Sequence, residues 1–237
     1  VSFIIREGPQ SYIETVSYTG IPNFSEPERR EEFFENSVFA GNRQSDSTFV
    51  YDEPYRAQDL RNEQSRIIDF LKNSGYAAVS RDSVRALVKR RDQNPQTLDI
   101  LYTIRPGSLY RFGDVYMSLS GPEQIEGFDD STTVQNPTLT EPGFLISMRK
   151  QDQAQTRFNL LTEQLKFRPG NRFDQSAYLQ TINSFQNLGN IVMERFGLSE
   201  NNSLPDYTES EIPVYFDMRT LPKHSLRAEL FGMRRYG

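Results

Sequence analysis

The feature that most constrains the fold is a strand–turn–strand junction that occurs twice along the chain. In the second copy, apolar and polar residues alternate over 98–104, Arg105-Pro106-Gly107 interrupts the pattern, and another alternating run covers 110–119. Alternation with a period of two indicates half-buried β-strands. In the first copy, an extended run at 1–7 is followed by a Gly-Pro break and a second run that begins at Tyr12. A chain that repeats such a junction is expected to fold into successive similar units.

The residues between the two junctions predict helices followed by strands. A capping-box-like start with proline in its first turn predicts a short helix over 25–36. A second helix is predicted over 57–73, and the polar stretch 41–54 between the two helices is interpreted as a loop. Strands are predicted over 77–90 and from Leu98. The apolar face of the second helix carries Leu60, Ile67, Ile68 and Leu71.

The second unit repeats this order after a long irregular stretch at 123–153. Helices are predicted at 154–165 and from Asp174 to Leu188, and strands at 191–196 and 212–218. Both units therefore have the expected order strand, helix, helix, strand, strand.

The composition argues against most enzymatic and metal-dependent chemistries. The chain has no cysteine and one histidine, His224, so thiolate catalysis, a histidine-based triad and a multi-histidine metal site are not expected. No phosphate-binding glycine loop or nucleophile elbow occurs. Glu126, Asp129 and Asp130 form an acidic cluster without EF-hand spacing, which is interpreted as a solvated loop rather than a calcium site. We therefore expect no enzyme, no catalytic residues, no cofactor and no metal.

Net charge and chain length further limit the kinds of partner and the domain organisation that are expected. A net charge of −5 argues against a nucleic-acid partner, because neutralising phosphates requires a basic face. With 36% hydrophobic residues and no Trp, the 237 residues are expected to form two small domains rather than one enzyme-sized core. No apolar stretch approaches the roughly 20 residues of a membrane helix. Because the first residues already have a strand pattern and no Met precedes them, we expect an internal piece of a longer protein.

The second unit resembles a known family. Phe167-Arg168-Pro169-Gly170-Asn171-Arg172-Phe173-Asp174, then Leu179, then Asn187-Leu188-Gly189 and a strand, is similar to the last POTRA domain of BamA/TamA-like outer-membrane proteins. The first unit resembles another POTRA domain through Tyr55, the predicted second helix and Gly75-Tyr76.

The resemblance implies a fold and a division of the chain. The implied fold class is α+β, with tandem POTRA domains that are each a three-stranded mixed sheet with two helices on one face. The implied divisions are 1–9 as the last strand of a preceding POTRA domain, 10–107 as one POTRA domain, 108–222 as the last one, and 223–237 as the start of a membrane-barrel strand.

The resemblance also implies a function and a site. Its implied role is to bind unfolded outer-membrane proteins on the periplasmic side of the bacterial outer membrane and deliver them to a C-terminal barrel of the parent protein. Extended clients would add as a strand at exposed sheet edges. The candidate edge residues are Arg85, Ala86, Leu87, Val88 and Lys89 in the first unit, and Ile191, Val192, Met193, Glu194 and Arg195 in the second.

Two alternatives remain open from the sequence. The cations of the first edge fit two interpretations about equally well: a site that binds clients, and an edge whose charge prevents unwanted pairing. The second edge carries less charge and is expected to be the better acceptor. The whole region is alternatively a non-catalytic scaffold that docks accessory lipoproteins or periplasmic proteins through its helical faces or the 123–153 stretch.

Overall fold

The computed structural model describes residues 9–24, 26–121, 133–139, 143–151, 154, 156–200 and 205–221. Two compact units are present. The first comprises the residues up to 111 together with 172–176, and the second comprises 112–171 and the residues from 177 onward. The predicted preceding strand (except Pro9), the acidic cluster at 126–130, His224 and the predicted barrel strand at 223–237 lie outside the described residues.

The first unit is a five-stranded mixed sheet with two helices. Its elements are β1 (Tyr12–Thr19), α1 (Pro27–Glu35), β2 (Asn42–Ser45), β3 (Thr48–Pro54), α2 (Ala57–Lys72), β4 (Val84–Arg90) and β5 (Thr97–Ile104). The strand order is β2-β3-β1-β5-β4. β1 and β5 run parallel, and the other neighbouring strands run antiparallel.

One face of this sheet forms the core with the helices. Along β5 every second residue is buried, beginning at Leu98 and ending at Ile104, as expected of a strand with one covered face. In β1 the spacing is interrupted, because the register shifts between Ile13 and Thr15. This β-bulge inserts one residue and brings Ile13 to the same face as Val16 and Tyr18. The helices contribute Phe33, Phe34, Ile67 and Leu71 to the same core.

The second unit is also a five-stranded mixed sheet with helices. Its elements are β6 (Arg111–Ser120), β7 (Thr133–Leu139), β8 (Leu145–Lys150), α3 (Phe158–Thr162), α4 (Gln175–Gln186), β9 (Ile191–Gly197) and β10 (Glu211–Thr220). The strand order is β7-β8-β6-β10-β9, and β8 runs parallel to β6. The core contains a stacked pair, Phe112 and Phe167, with ring centroids 3.9 Å apart, and an edge-on pair, Phe185 and Phe216, at 5.1 Å.

The α+β class with mixed sheets is confirmed, but the predicted three-stranded sheets are wrong. In each unit three predicted strands lie side by side, in the order β1-β5-β4 or β6-β10-β9, and a hairpin of two further strands extends them. In the first unit the hairpin β2–β3 occupies most of the stretch that the sequence predicts as a loop. In the second unit β7–β8 lies within the predicted irregular stretch. Because each hairpin is inserted between predicted elements, the order strand, helix, helix, strand, strand is interrupted in both units.

Three boundaries also differ from the sequence predictions. The first unit extends to 111 rather than 107, since the Tyr110 amide donates to the Gly75 carbonyl at 2.8 Å. α3 is shorter than predicted, since turns follow it in which the Gln164 amide donates to the Leu161 carbonyl and the Leu165 amide to the Thr162 carbonyl. The predicted strand 77–90 begins at Val84, after a 3-10 turn at Arg81–Ser83.

Candidate functional site

The two candidate edges lie where the sequence predicts. β4 is the last strand of the first sheet and β9 is the last strand of the second. Each is hydrogen-bonded along one side to a neighbour, β5 or β10, and has no strand on its other side in the part of the chain that the structure describes. An edge strand of this kind offers backbone donors and acceptors for pairing with another chain.

The backbone of β4 alternates regularly between its neighbour and the open side. The Arg105 amide donates to the Ser83 carbonyl at 2.8 Å, and the Arg91 amide donates to the Thr97 carbonyl at 3.1 Å. In an antiparallel ladder, hydrogen-bonded and non-hydrogen-bonded pairs alternate. With register pairs Val84 with Ile104 and Arg90 with Leu98, the amides and carbonyls of the even-numbered residues therefore face the open edge.

The side chain of Gln64 sets where the open edge begins. Its amide nitrogen, from α2, donates to the Val84 carbonyl at 2.6 Å. The outward carbonyl of Val84 is thus occupied, while Ala86, Val88 and Arg90 have no backbone partner on that side among the described residues. Three amides and three carbonyls form a free edge of the length that a short extended peptide occupies.

The side chains of β4 are exposed beyond its first residue. Val84 is buried in the core, but the residues from Arg85 to Arg90 are all exposed, and Leu87 retains 61% of its accessible surface. Val88 lies on the helix-facing side of the sheet, opposite the buried Ile100, and is nevertheless exposed. The strand therefore extends past the cover that the helices give to β5, and both of its faces are accessible to a partner.

The edge of β9 is interrupted. Arg195 pairs with Asp217 and Met193 with Met218, so Glu194 is an extra residue in a β-bulge. The Glu194 carboxylate binds Arg219 at 2.9 Å, and Arg195 binds Asp217 and the Glu200 carbonyl. The two charges that the sequence places on this edge are therefore tied to the rest of the unit, and the bulge breaks the even spacing of the backbone groups.

Comparison of the four sheet edges distinguishes β4 from the rest. The pairings of β2, β7 and β9 with their neighbours each contain a register shift, whereas the pairing of β4 with β5 has none across its described residues. Bulges and short edge strands are the usual means of preventing unwanted pairing. β4 lacks both and carries cations instead, so its geometry is the most suited to accept a strand.

A buried polar network, which the sequence analysis did not identify, fixes α2 against the sheet. The fully buried Glu63 carboxylate forms a bidentate ion pair with Arg66, with distances of 2.7 and 2.9 Å. It also accepts hydrogen bonds from the Tyr18 hydroxyl at 2.8 Å and the Val38 amide at 2.8 Å. Burial, followed by the negative charge of Glu63, raises the pKa of Tyr18 far above its usual value, so the hydroxyl remains protonated and donates. The network positions the helix whose Gln64 side chain limits the edge.

The end of β4 is fixed by a second, more exposed cluster. The Arg91 guanidinium binds Asp99 at 2.8 Å and also binds Glu14, the bulge residue of β1. Asp99 additionally accepts a hydrogen bond from the Thr15 hydroxyl. The hydrogen bond from Arg91 is the main cause that lowers the pKa of Asp99, so this carboxylate is already satisfied inside the unit.

No family model matches the chain, and no curated protein matches it. Similarity is found to solved structures. They include POTRA domains of BamA and Omp85. A Haemophilus ducreyi BamA lacking POTRA domains 1–3 is 14% identical with a TM-score of 0.45, over 87% of this chain and 29% of that one. POTRA1–2 of the periplasmic domain of Omp85 from Anabaena is 12% identical with a TM-score of 0.38, over 91% of this chain and 99% of that one.

POTRA3–5 of Haemophilus influenzae BamA is 13% identical with a TM-score of 0.32, over 92% of this chain and 100% of that one. These neighbours belong to the family that the sequence resembles. The chain spans 29% of the length of the H. ducreyi structure.

Within the described ranges, no group of three or more histidine, cysteine or acidic residues is placed to hold a metal ion. Among the described helices, none has the length and apolar character needed to cross a membrane.

Proposed function

We propose that this chain is the periplasmic POTRA region of an outer-membrane β-barrel assembly protein and that it binds unfolded outer-membrane proteins by strand addition. The role is non-catalytic and uses no cofactor. Clients would be passed to a barrel of the parent protein in the outer membrane. The sequence resemblance at 167–174 and 187–189 supports the family, and the β1-β5-β4 and β6-β10-β9 arrangements support the fold.

The observation that carries this proposal is the uninterrupted edge of β4. Strand addition draws its affinity from backbone hydrogen bonds, so it tolerates many client sequences. Each such bond contributes a net of roughly 1 kcal/mol, against which the cost of ordering the client must be set. The affinity is then weak, as a handling step requires if the client is to be released. We propose β4 (Arg85–Lys89) as the principal acceptor and β9 (Ile191–Arg195) as a weaker one, because of the bulge at Glu194.

Replacing Val88 with proline tests the edge without breaking the sheet. The Val88 amide faces the open side, so Val88→Pro removes a donor to the client and costs no bond to β5. Binding of a labelled peptide with alternating apolar and polar residues, measured by fluorescence anisotropy, should weaken by about fivefold to tenfold. Circular dichroism should show an unchanged fold.

Met193→Pro is the matched control on the second unit. The Leu221 amide donates to the Asn190 carbonyl at 2.8 Å, so the amide of Met193 faces outward, while that of Val192 faces β10. A proline at Val192 would therefore disrupt the sheet itself. Met193→Pro should change peptide binding less than twofold, an estimate from the interrupted edge. Unchanged binding in folded Val88→Pro would contradict the proposal, and a stoichiometric complex with a folded partner in both variants would favour the scaffold alternative.

A further inference from the structure

The charge on β4 is concentrated and uniform in sign. The strand has the sequence VRALVKR, with three cations and no acid, in a chain whose net charge is −5. In the part of the chain that the structure describes, Arg85 and Lys89 form no ion pair, and the Arg90 guanidinium donates to a backbone carbonyl, that of Pro95. The positive charge of the edge is thus left for a partner to neutralise.

The register places the cations on particular faces of the strand. Arg85, Leu87 and Lys89 lie on the face away from the helices, beside Thr103, Leu101 and Asp99 of β5. Arg90 lies on the helix side. The face away from the helices therefore presents a cation, an exposed leucine and a second cation in succession along the open edge.

Asp99 attracts Lys89 electrostatically but forms no ion pair with it. Asp99 is its register partner on β5, but the Asp99 carboxylate is bound by Arg91 at 2.8 Å and by the Thr15 hydroxyl. The neighbour of Arg85 is a threonine. Arg85 and Lys89 therefore have no ion-pair partner among the described residues, and a strand added on the open side could supply acidic groups to both.

The backbone pattern brings those side chains close to the added strand. Arg85, Leu87 and Lys89 use their amides and carbonyls to bond β5, so toward an antiparallel strand on the other side they occupy non-hydrogen-bonded positions. Opposing side chains are closest at such positions, and there opposite charges stabilise pairing while like charges destabilise it. The positions with the strongest side-chain coupling are thus the two cations and the leucine between them.

We infer that β4 selects extended segments of the pattern acid–x–apolar–x–acid. This inference rests on the proposed function and specifies its client class. The pattern is symmetric, so a segment that runs in either chain direction places acids beside Arg85 and Lys89 and an apolar residue beside Leu87. The favoured partner is a peptide rather than an anionic lipid surface, because the outward backbone groups of Ala86 and Val88 lie between the two cations, together with the exposed side chain of Leu87.

Three short peptides test the charge selection. They share one sequence except at the centre, which is Glu-Thr-Val-Thr-Glu, Gln-Thr-Val-Thr-Gln or Lys-Thr-Val-Thr-Lys. The 237-residue chain should bind the Glu peptide about tenfold more tightly than the Lys peptide, with the Gln peptide between them. In about 0.5 M NaCl the preference should shrink to about twofold, because exposed charges are screened.

A charge reversal provides the decisive variant. Arg85→Glu combined with Lys89→Glu should invert the preference, so that the Lys peptide binds more tightly. The matched control, Lys166→Glu combined with Arg168→Glu, makes the same change in net charge at exposed positions of the second unit and should leave the preference as it is. Circular dichroism verifies that both variants fold.

The outcomes distinguish a failure of the charge selection from a failure of the proposed strand addition. Equal binding of all three peptides, with Val88→Pro still weakening each, would overturn the charge selection and leave strand addition standing. Binding of none of the peptides would overturn both. Sedimentation with vesicles of phosphatidylcholine and phosphatidylglycerol that is lost on the double reversal, without a preference among the peptides, would assign the cations to a membrane surface and overturn the inference.

Discussion

Glu63→Gln is expected to lower the free energy of unfolding of the first unit by about 3 kcal/mol. The substitution leaves the Arg66 guanidinium with an uncharged partner in a site where Glu63 is fully buried and Arg66 is only 16% exposed. It also weakens the acceptor of the Tyr18 hydroxyl and the Val38 amide. Removing one member of a buried ion pair costs about 3–5 kcal/mol, and the residual exposure of Arg66 puts this case at the lower end.

Hydrogen exchange measured by mass spectrometry assigns this loss to the correct unit. Amides in β1 and α2 should exchange about a hundredfold faster in Glu63→Gln, while amides in β10 of the second unit keep their rates. Glu35→Gln, at an exposed position of α1, is the control and should change stability by less than about 0.5 kcal/mol. Equal protection in Glu63→Gln and Glu35→Gln would show that the network does not stabilise the unit.

Gly20→Ala is expected to destabilise the first unit by about 2–5 kcal/mol. Gly20 follows β1 with φ of +74°, where a side chain is strained, and a Cβ there would lie 2.1 Å from the Ile104 carbonyl oxygen. Because that oxygen belongs to the backbone, the end of β5 would have to move. Ile104 is paired with Val84, so the displacement would reach the start of β4.

Gly107→Ala separates the cost of backbone strain at positive φ from the cost of the close approach to the Ile104 carbonyl oxygen. Gly107 has φ of +75°, nearly the same strain, but a Cβ there would meet nothing within 4 Å. Its cost should be about 1–2 kcal/mol. In urea unfolding, the midpoint of Gly20→Ala should therefore fall clearly below that of Gly107→Ala. Coincident midpoints would mean that the approach to Ile104 has no energetic consequence.

The sequence predicted the elements whose pattern is regular. β5 and β10 alternate strictly, and α2 and α4 place their apolar residues at helical spacing. The two hairpins were not predicted because their sequences lack a regular apolar pattern. β2 is Asn-Arg-Gln-Ser, with every residue exposed. β7 contains Pro137, which lies within its register shift. Such strands form because a neighbouring strand supplies their hydrogen bonds, which is a tertiary effect.

The buried network could have been suspected from spacing alone. Glu63 lies three residues after Leu60 and four before Ile67, so it occupies the apolar face of α2, and Arg66 follows it by three positions. A charged residue on a core-facing stripe, with an opposite charge one turn away, suggests a buried pair. Its partners, Tyr18 and the Val38 amide, come from distant parts of the sequence and required the structure.

Both predicted edge strands are the last strands of their sheets, and which of the two edges is the better acceptor stays a prediction. Counting charges favours β9 over β4 as an acceptor. The bulge at Glu194 and the cross-strand ion pairs of Glu194 and Arg195 depend on the register with β10, which no local pattern specifies. The continuous register of β4 is equally invisible in its sequence. Geometry therefore makes β4 the stronger candidate.

Disulfide trapping at β4 tests the central claim most directly. The chain has no native cysteine, so Leu87→Cys introduces a single thiol, at a position whose side chain would lie close to an added antiparallel strand. Under mild oxidation, a client peptide carrying one cysteine should form a disulfide with Leu87→Cys. Arg61→Cys on α2 and Glu28→Cys on α1, both exposed, should give only background trapping. Trapping on the helices that equals or exceeds trapping at Leu87 would contradict strand addition at this edge.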